Sequence, residues 1–340
     1  MSEELARMGW SCAMITDARG RRHAGRIVAD PIIEVKAASI SPRRPVQALR
    51  GSLQLAQGVR QATAFMRDWK PDVVVGFGGY PSFPALRAAE NLSIPRVIHE
   101  QNAVLGRVNR VFARKATVVA SGFETLAKLP KGANQVFVGN PLRDSLLDKV
   151  GAKLDTQDPR PSLKLLVVGG SLGANILSDV VPQAVAALPD PLRQRLSVTQ
   201  QVTESHLSAA RRRYEEAGVE ARLDTFFTDI ETHLFETDLV IARAGASSVS
   251  EIALMGKPSI LVPLAIAMDD HQTANAKALE RLGAARILPE SAFTVDRLGE
   301  LLTDTLNDMD WLDRAGRNAA KLARPRAARD LAALVLSAAG

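Results

Sequence analysis

The chain has 340 residues, too many for one ordinary hydrophobic core and enough for two domains. Hydrophobic residues at 46% and charged residues at 24% are the balance of a folded globular protein, and no apolar run reaches the roughly 18–20 residues that cross a bilayer as a helix. Lys and Arg exceed Asp and Glu by 43 to 37, a basic excess that suits anionic lipid, a phosphorylated substrate or nucleic acid, while aromatics at 4% argue against a base-stacking platform.

In chain order, MSEELARMGW carries acidic residues on an amphipathic pattern and is not a secretory leader. The single cysteine, Cys12, rules out an internal disulfide and suits a reducing compartment. SCAMIT (11–16) predicts the first strand. Residues 41–70 follow with Arg43, Arg44, Arg50, Arg60, Arg67 and Lys70 interleaved with apolar residues such as Leu49, Leu53, Leu55, Phe65 and Trp69. Two readings stay open for this stretch: a helix at the headgroup boundary of an anionic membrane, or a solvated helix with an ordinary core face. DVVVGF (72–77), RVIHE (96–100), TVVAS (117–121), VFVGN (136–140), LKLLVVGG (163–170), LVIARA (239–244) and SILVP (259–263) predict further strands. Short Val- and Ile-rich runs of this kind suit parallel strands covered on both faces. Helical patterns such as PALRAAENL, RVNRVFARK, SSVSEIALMG and HQTANAKALERLG separate them. The alternation predicts an α/β doubly wound architecture. DKVGAKLDTQDPRPS (148–162) lacks apolar periodicity and reads as a linker between an N-terminal domain, 1–147, and a C-terminal domain, 163–315. The chain closes on a helical tail, 316–340.

In open α/β sheets ligands bind beyond the carboxyl ends of the strands, where glycine turns lead into helix N-termini. Gly169, Gly170, Ser171 and Gly173 form such a turn, which either approaches a phosphate or simply joins strand to helix. ARAGASSVSEIALMG (242–256) forms a second. There Ser248 and Glu251 have S-x-x-E spacing, so Glu251 either completes a capping box or accepts hydrogen bonds from a ligand diol such as a ribose. GFGGYPS (76–82) and HEQN (99–102) sit beyond two other strands. In DDHQTANA (269–276), Asp269 suits a helix cap, and Gln272 and Asn275, at helical spacing, suit sugar hydroxyls, which need donors and acceptors together. No metal-ligand spacing, G-x-S-x-G elbow or P-loop occurs.

GFGGYPS, HEQN, VGNPLR, VVGGSLGA, ARAGASSVSEI and DDHQTANA occur in that order. Together they resemble the MurG family of N-acetylglucosaminyltransferases over roughly residues 10–335. The resemblance implies two Rossmann-like domains facing across a cleft, the GT-B type, with residues 1–147 on the acceptor and membrane side and the 316–340 tail packing back on them. It implies transfer of N-acetylglucosamine, with inversion, from UDP-N-acetylglucosamine to undecaprenyl-diphosphate-N-acetylmuramoyl-pentapeptide, which turns lipid I into lipid II for the cell wall. Other enzymes or non-catalytic UDP-sugar-binding proteins of the same fold are the competing classes. The implied partners are these two substrates, an anionic membrane surface and other cell-wall synthesis proteins, with no nucleic acid, no metal and no cofactor. The implied location is peripheral, on the cytoplasmic face of the inner membrane. Carried over residue by residue, Asn102 and Arg143 face the donor from the N-terminal side and Ser171 reaches its diphosphate. Ala246, Ser247, Ser248, Val249, Ser250 and Glu251 form the nucleotide loop, with Glu251 on the ribose. Phe227 meets uracil through its backbone, and Gln272 binds the transferred sugar. The family opens with a strand and a GGTGGH loop whose histidine falls ahead of Met1, so the resemblance assigns no catalytic residue within this chain.

Overall fold

The structure, a computed structural model, describes residues 1–22, 24–38, 45–151, 163–170, 174–264 and 268–340. Its strands are β1 (Met14–Thr16), β2 (Ile32–Glu34), β3 (Val74–Gly76), β4 (Arg96–Glu100), β5 (Val118–Ser121), β6 (Gln135–Phe137), β7 (Leu163–Val168), β8 (Leu196–Gln201), β9 (Glu220–Asp224), β10 (Leu239–Ala242), β11 (Ser259–Leu261) and β12 (Ala285–Ile287). Helices of six residues or more are α1 (Ser2–Arg7), α2 (Pro45–Trp69), α3 (Gly79–Asn91), α4 (Arg107–Phe112), α5 (Asn175–Ala186), α6 (Leu207–Glu216), α7 (Ile230–Glu236), α8 (Ala246–Leu254), α9 (His271–Glu280), α10 (Val295–Asn307), α11 (Met309–Ala320) and α12 (Ala327–Ala339).

The chain divides into two compact units, Met1–Pro141 with Arg326–Gly340, and Leu142–Pro325. The first unit carries β1 paired with β2 and a separate sheet in the order β3-β4-β5-β6, every pair parallel. Successive residues of a strand point to opposite faces. In β4, Val97 therefore joins a core with Leu5 of α1 and Leu331 and Val335 of α12, while Ile98 joins another with Met66 of α2, Leu86 of α3 and Phe112 of α4. Both faces are covered, which is why β4 is buried along its whole length. The turn from β3 into α3 needs glycine, since Gly78 and Gly79 have φ of 80° and 71°, a region that side chains with a Cβ avoid.

The second unit is one parallel sheet in the order β12-β11-β10-β7-β8-β9. Its core packs Leu165 and Val167 of β7 and Ile241 of β10 against Leu177 and Val181 of α5 and Leu298 and Leu302 of α10. The sequence reading placed Arg143 with the N-terminal domain and the tail boundary at 315/316. Here Leu142–Leu147 belongs with the second unit, as does α11, and only the segment from Arg326 onward belongs with the first. Most of the expected linker, residues 152–162, lies outside the described residues.

The strands β2, β8, β9 and β12 are additions to those expected. LSVTQQ of β8 alternates buried and half-buried residues, and EARLD of β9 lies at a sheet edge with its charges in water. Neither shows the continuous apolar run that marks a doubly covered strand. β2 and β12 are three residues each, too short to leave a period.

Candidate active site

In the second unit, β10 runs through Arg243, Ala244 and Gly245 into α8. Gly245 is the extended N-cap, and no side chain caps the helix. Its carbonyl already accepts from the Val249 N–H at 3.0 Å. The first amides of α8 thus point outward along the positive end of the helix dipole, the arrangement that suits an anion. The S-x-x-E spacing does not form a capping box. The helix starts earlier than that reading requires, so Ser248 is its third residue and Glu251 its sixth. Ser250 Oγ donates back to the Ala246 carbonyl at 2.9 Å, Val249 is buried in the core, and Ser247 is exposed.

Glu251 pairs instead with Arg143, whose Nη2 lies 3.4 Å from Oε1. Burial holds the Glu251 carboxyl above its ordinary range, the nearby Glu231 charge adds to this, and Arg143 only partly opposes them. A desolvated carboxylate with one half-exposed partner is poised to take hydrogen bonds from something else.

Three further contacts fix this end of the sheet. Arg243 is buried, and its Nη1 donates to the carbonyls of Val262 (3.1 Å) and Pro263 (3.4 Å) and to Glu290 Oε2 (2.8 Å). It ties the ends of β10 and β11 to Glu290, a role with no local sequence signal, because the partners are 19 to 47 residues away. Asn275 of α9 is buried and donates from Nδ2 to the Ala244 carbonyl at 3.1 Å. Gln272 accepts at Oε1 from the Leu264 N–H at 2.9 Å. Asn275 therefore holds α9 against the turn, and Gln272 is fixed beside the end of β11. Asp269 does not cap α9: the N-cap is Asp270, in left-handed backbone and without a side-chain cap bond.

The Phe227 side chain is buried. It packs edge-on to His233, with centroids 5.0 Å apart, under the Arg222 guanidinium. Only its backbone remains for a ligand. Gly169 donates to Gln201 Oε1 at 3.3 Å, and Gly170 has φ 83°, but Ser171 lies outside the described residues.

In the first unit the HEQN stretch is organised by Glu100. Its Oε1 accepts from Asn102 N (3.1 Å) and Asn102 Nδ2 (3.2 Å), and its Oε2 accepts from Gly106 N (2.8 Å) and Asn109 Nδ2 (2.8 Å). One buried carboxylate thereby shapes the loop 101–106 and orients Asn102. His99 is 1% exposed. Its Nε2–H donates to the Gly139 carbonyl at 3.0 Å, which leaves Nδ1 to accept from Gln101 Nε2 at 3.2 Å. Burial lowers its pKa, so the ring is neutral with both nitrogens engaged. His99 is therefore part of the frame of this loop. The structure brings Arg143 and Ala246–Glu251 together in the second unit, whereas Asn102 belongs to the first. Among the described residues no group of three or more His, Cys, Asp or Glu side chains is placed to hold a metal ion.

The chain matches the Glycosyltransferase family 28 N-terminal domain over residues 1–121 and the Glycosyltransferase family 28 C-terminal domain over 164–331. A curated protein of Maricaulis maris, UDP-N-acetylglucosamine--N-acetylmuramyl-(pentapeptide) pyrophosphoryl-undecaprenol N-acetylglucosamine transferase, is 47% identical over 98% of this chain and 91% of its own length. A protein of the same name from Rhodospirillum rubrum is 42% identical over 98% of this chain and 86% of its own. Among solved structures, MurG of Acinetobacter baumannii superposes with a TM-score of 0.81 at 29% identity, covering 98% of this chain and 93% of that one. A UDP-GlcNAc 2-epimerase of Neisseria meningitidis, at 12% identity and TM-score 0.65 over 99% and 94% of the two chains, shares the fold alone.

Proposed function

The chain belongs to glycosyltransferase family 28, and on that footing we propose that it transfers N-acetylglucosamine from UDP-N-acetylglucosamine to undecaprenyl-diphosphate-N-acetylmuramoyl-pentapeptide, making lipid II from lipid I in peptidoglycan synthesis. The observation that carries this is likeness along nearly the whole chain, both units included, to curated transferases of that one name. The epimerase class shares only the fold, which does not fix function.

The site supports the following roles. The open amides of α8, with Ser171, take the donor diphosphate. Glu251 accepts from the ribose hydroxyls, the backbone of Phe227 meets uracil, and Gln272 addresses the transferred sugar. The acceptor hydroxyl oxygen attacks the anomeric carbon and releases its proton to water, while the bond from that carbon to the β-phosphate oxygen breaks and UDP leaves with the bonding electrons. Negative charge grows on the phosphate as it departs. Helix amides already aimed at that position stabilise it without reorganising.

The acceptor is lipid-linked, and no helix among the described residues is long and apolar enough to cross a membrane. A peripheral seat on the cytoplasmic face of the inner membrane fits both facts. In α2, Leu55 is buried and Phe65 and Trp69 are turned partly inward, which narrows the contact face suggested by 41–70. Leu49 and Leu53, about 65% exposed and one turn apart beside exposed Arg50, offer the apolar and basic pairing that suits an anionic surface. Arg43 and Arg44 lie outside the described residues.

Calorimetry with UDP-N-acetylglucosamine, UDP-glucose and dTDP-glucose tests the donor assignment. The first should bind tightest and the last weakest. Equal affinity for all three would contradict it.

A further inference from the structure

Two adjacent glutamines, Gln200 and Gln201, end β8. Successive residues of a strand face opposite ways, so the two amides meet different surroundings. Gln200 is fully buried. Its Nε2 donates to the Leu177 carbonyl of α5 at 3.0 Å, and its Oε1 accepts from the Tyr214 hydroxyl of α6 at 2.6 Å. It ties two helices to the sheet. Gln201 is half-buried and engages the strand ends instead. Its Oε1 accepts from the Gly169 N–H at 3.3 Å, and its Nε2 donates to the Thr225 carbonyl at 3.1 Å.

The sheet order places β8 between β7 and β9. The β7–β8 pairing ends at Val167 with Gln200, and the β8–β9 pairing ends at Gln201 with Asp224. Gly169 and Thr225 lie just past those last pairs, on strands two places apart in the sheet, a separation of about 10 Å. One side chain bonds to both, across the strand between them. A backbone N–H can only donate and a carbonyl can only accept, so the amide has a single orientation that serves both groups.

Each anchored group opens a ligand segment. Gly169 leads to Gly170, whose φ of 83° turns the chain off β7 on its way to α5. Thr225 leads to Phe226, whose N–H donates to Asp224 Oδ1 at 3.3 Å, and to Phe227, whose ring is locked in the core against His233. These are the segments that the donor reading gives to the diphosphate and to uracil. Thr225 is exposed, so water could satisfy its carbonyl as well as an amide does. What water cannot do is fix the distance from that carbonyl to Gly169.

We propose that Gln201 is a positioning residue for the nucleoside diphosphate of the donor. It sets the spacing between the turn that starts at Gly169 and the backbone at Thr225–Phe227, and it does so without touching either end of the ligand. The proposal rests on the donor reading given above. Two halves of a linked ligand reinforce each other only when the spacing of their subsites matches the ligand. A mismatch removes that advantage and leaves each half able to bind alone.

Affinities of the full chain for UDP, uridine and inorganic pyrophosphate, from proton- and phosphorus-observed NMR titrations, test this. Gln201→Met keeps the length and removes the amide. It should weaken UDP about tenfold or more while uridine and pyrophosphate stay within about threefold of wild type. Gln201→Asn keeps the amide but is a methylene too short to reach both groups, and should lose UDP in the same selective way. Gln200→Met is the control for general softening. It should lower the melting temperature and leave the ratio of UDP affinity to fragment affinity unchanged. UDP affinity within about threefold of wild type in both Gln201 variants would overturn the proposal. An equal fall for all three ligands would do so too, since it marks a direct contact or a damaged fold. The same selective loss in Gln200→Met would reduce the effect to softening of the sheet and also overturn it. A wild-type chain that binds none of the three ligands would defeat the donor reading itself, and this proposal with it.

Discussion

Replacing Glu251 with alanine should damage donor binding and leave the fold almost untouched. The fold side follows from its contacts. Gly245, not a side chain, caps α8, so the roughly 1 kcal/mol that a lost cap contact costs does not apply. The Arg143 partner is 53% exposed and 3.4 Å away, an ion pair of the kind that contributes about 0–1 kcal/mol. Burial already raises the Glu251 carboxyl, so removing it also relieves desolvation. The net change in unfolding free energy should stay within about 1 kcal/mol. On the binding side, each hydrogen bond from a ribose hydroxyl to a charged acceptor contributes about 1.5–3 kcal/mol, so losing one weakens UDP roughly tenfold to a hundredfold. Glu251→Gln keeps an acceptor without the charge and should fall between. The pH dependence has a definite sign. Ribose hydroxyls donate to the ionised form, so wild-type affinity should rise as pH climbs through the raised Glu251 value, above the ordinary ~4.3, while the Gln variant stays flat. Stability moves the other way. A carboxyl raised in the folded state favours folding below about pH 4.3 and loses that contribution as pH rises through the folded value. Calorimetry with UDP and urea melts of the three proteins decide the matter. Unchanged affinity together with a loss above about 2 kcal/mol of stability would refute the reasoning and make Glu251 a structural residue.

Glu100→Ala should cost about 3–5 kcal/mol in urea melts, because it strands several donors around one buried carboxylate. Glu100→Gln should cost about half that, since Asn109 Oδ1, buried without a partner, can turn to accept from the new amide. His99 is held neutral by burial, so stability should be level above about pH 6.5 and fall below it, as the unfolded chain takes up a proton that the folded state resists. In urea melts across that range, His99→Gln should remove the slope. Leu49→Ser with Leu53→Ser should reduce co-sedimentation with anionic vesicles and leave the melting temperature within a few degrees, because both side chains are already in water.

Much of this was legible where burial writes a continuous signal. β4 and β10 are buried on both faces and appear in the sequence as RVIHE and LVIARA. β8 and β9 were not, because their partial exposure admits Ser, Thr, Gln and Arg, which break the run. The site shows the same division. Glycine turns and Glu251 stand out locally. S-x-x-E spacing is one residue pattern with two physical uses, and the start of the helix at Ala246 rules out the capping box. Arg243 could not be found, since its meaning depends on Glu290, which only folding brings within 2.8 Å. Glu100 is intermediate: its partners lie within nine residues, but four donors converging on one carboxylate is a fact of loop geometry.

The most direct test of the central claim is a transfer assay with UDP-N-acetylglucosamine radiolabelled in the sugar, a lipid I analogue and the purified chain. Label should appear in the lipid product in step with UDP release, and mass spectrometry should place one N-acetylhexosamine on the muramoyl sugar. Label that is converted to the epimeric sugar, or released as free sugar while the lipid analogue remains unmodified, would contradict the account.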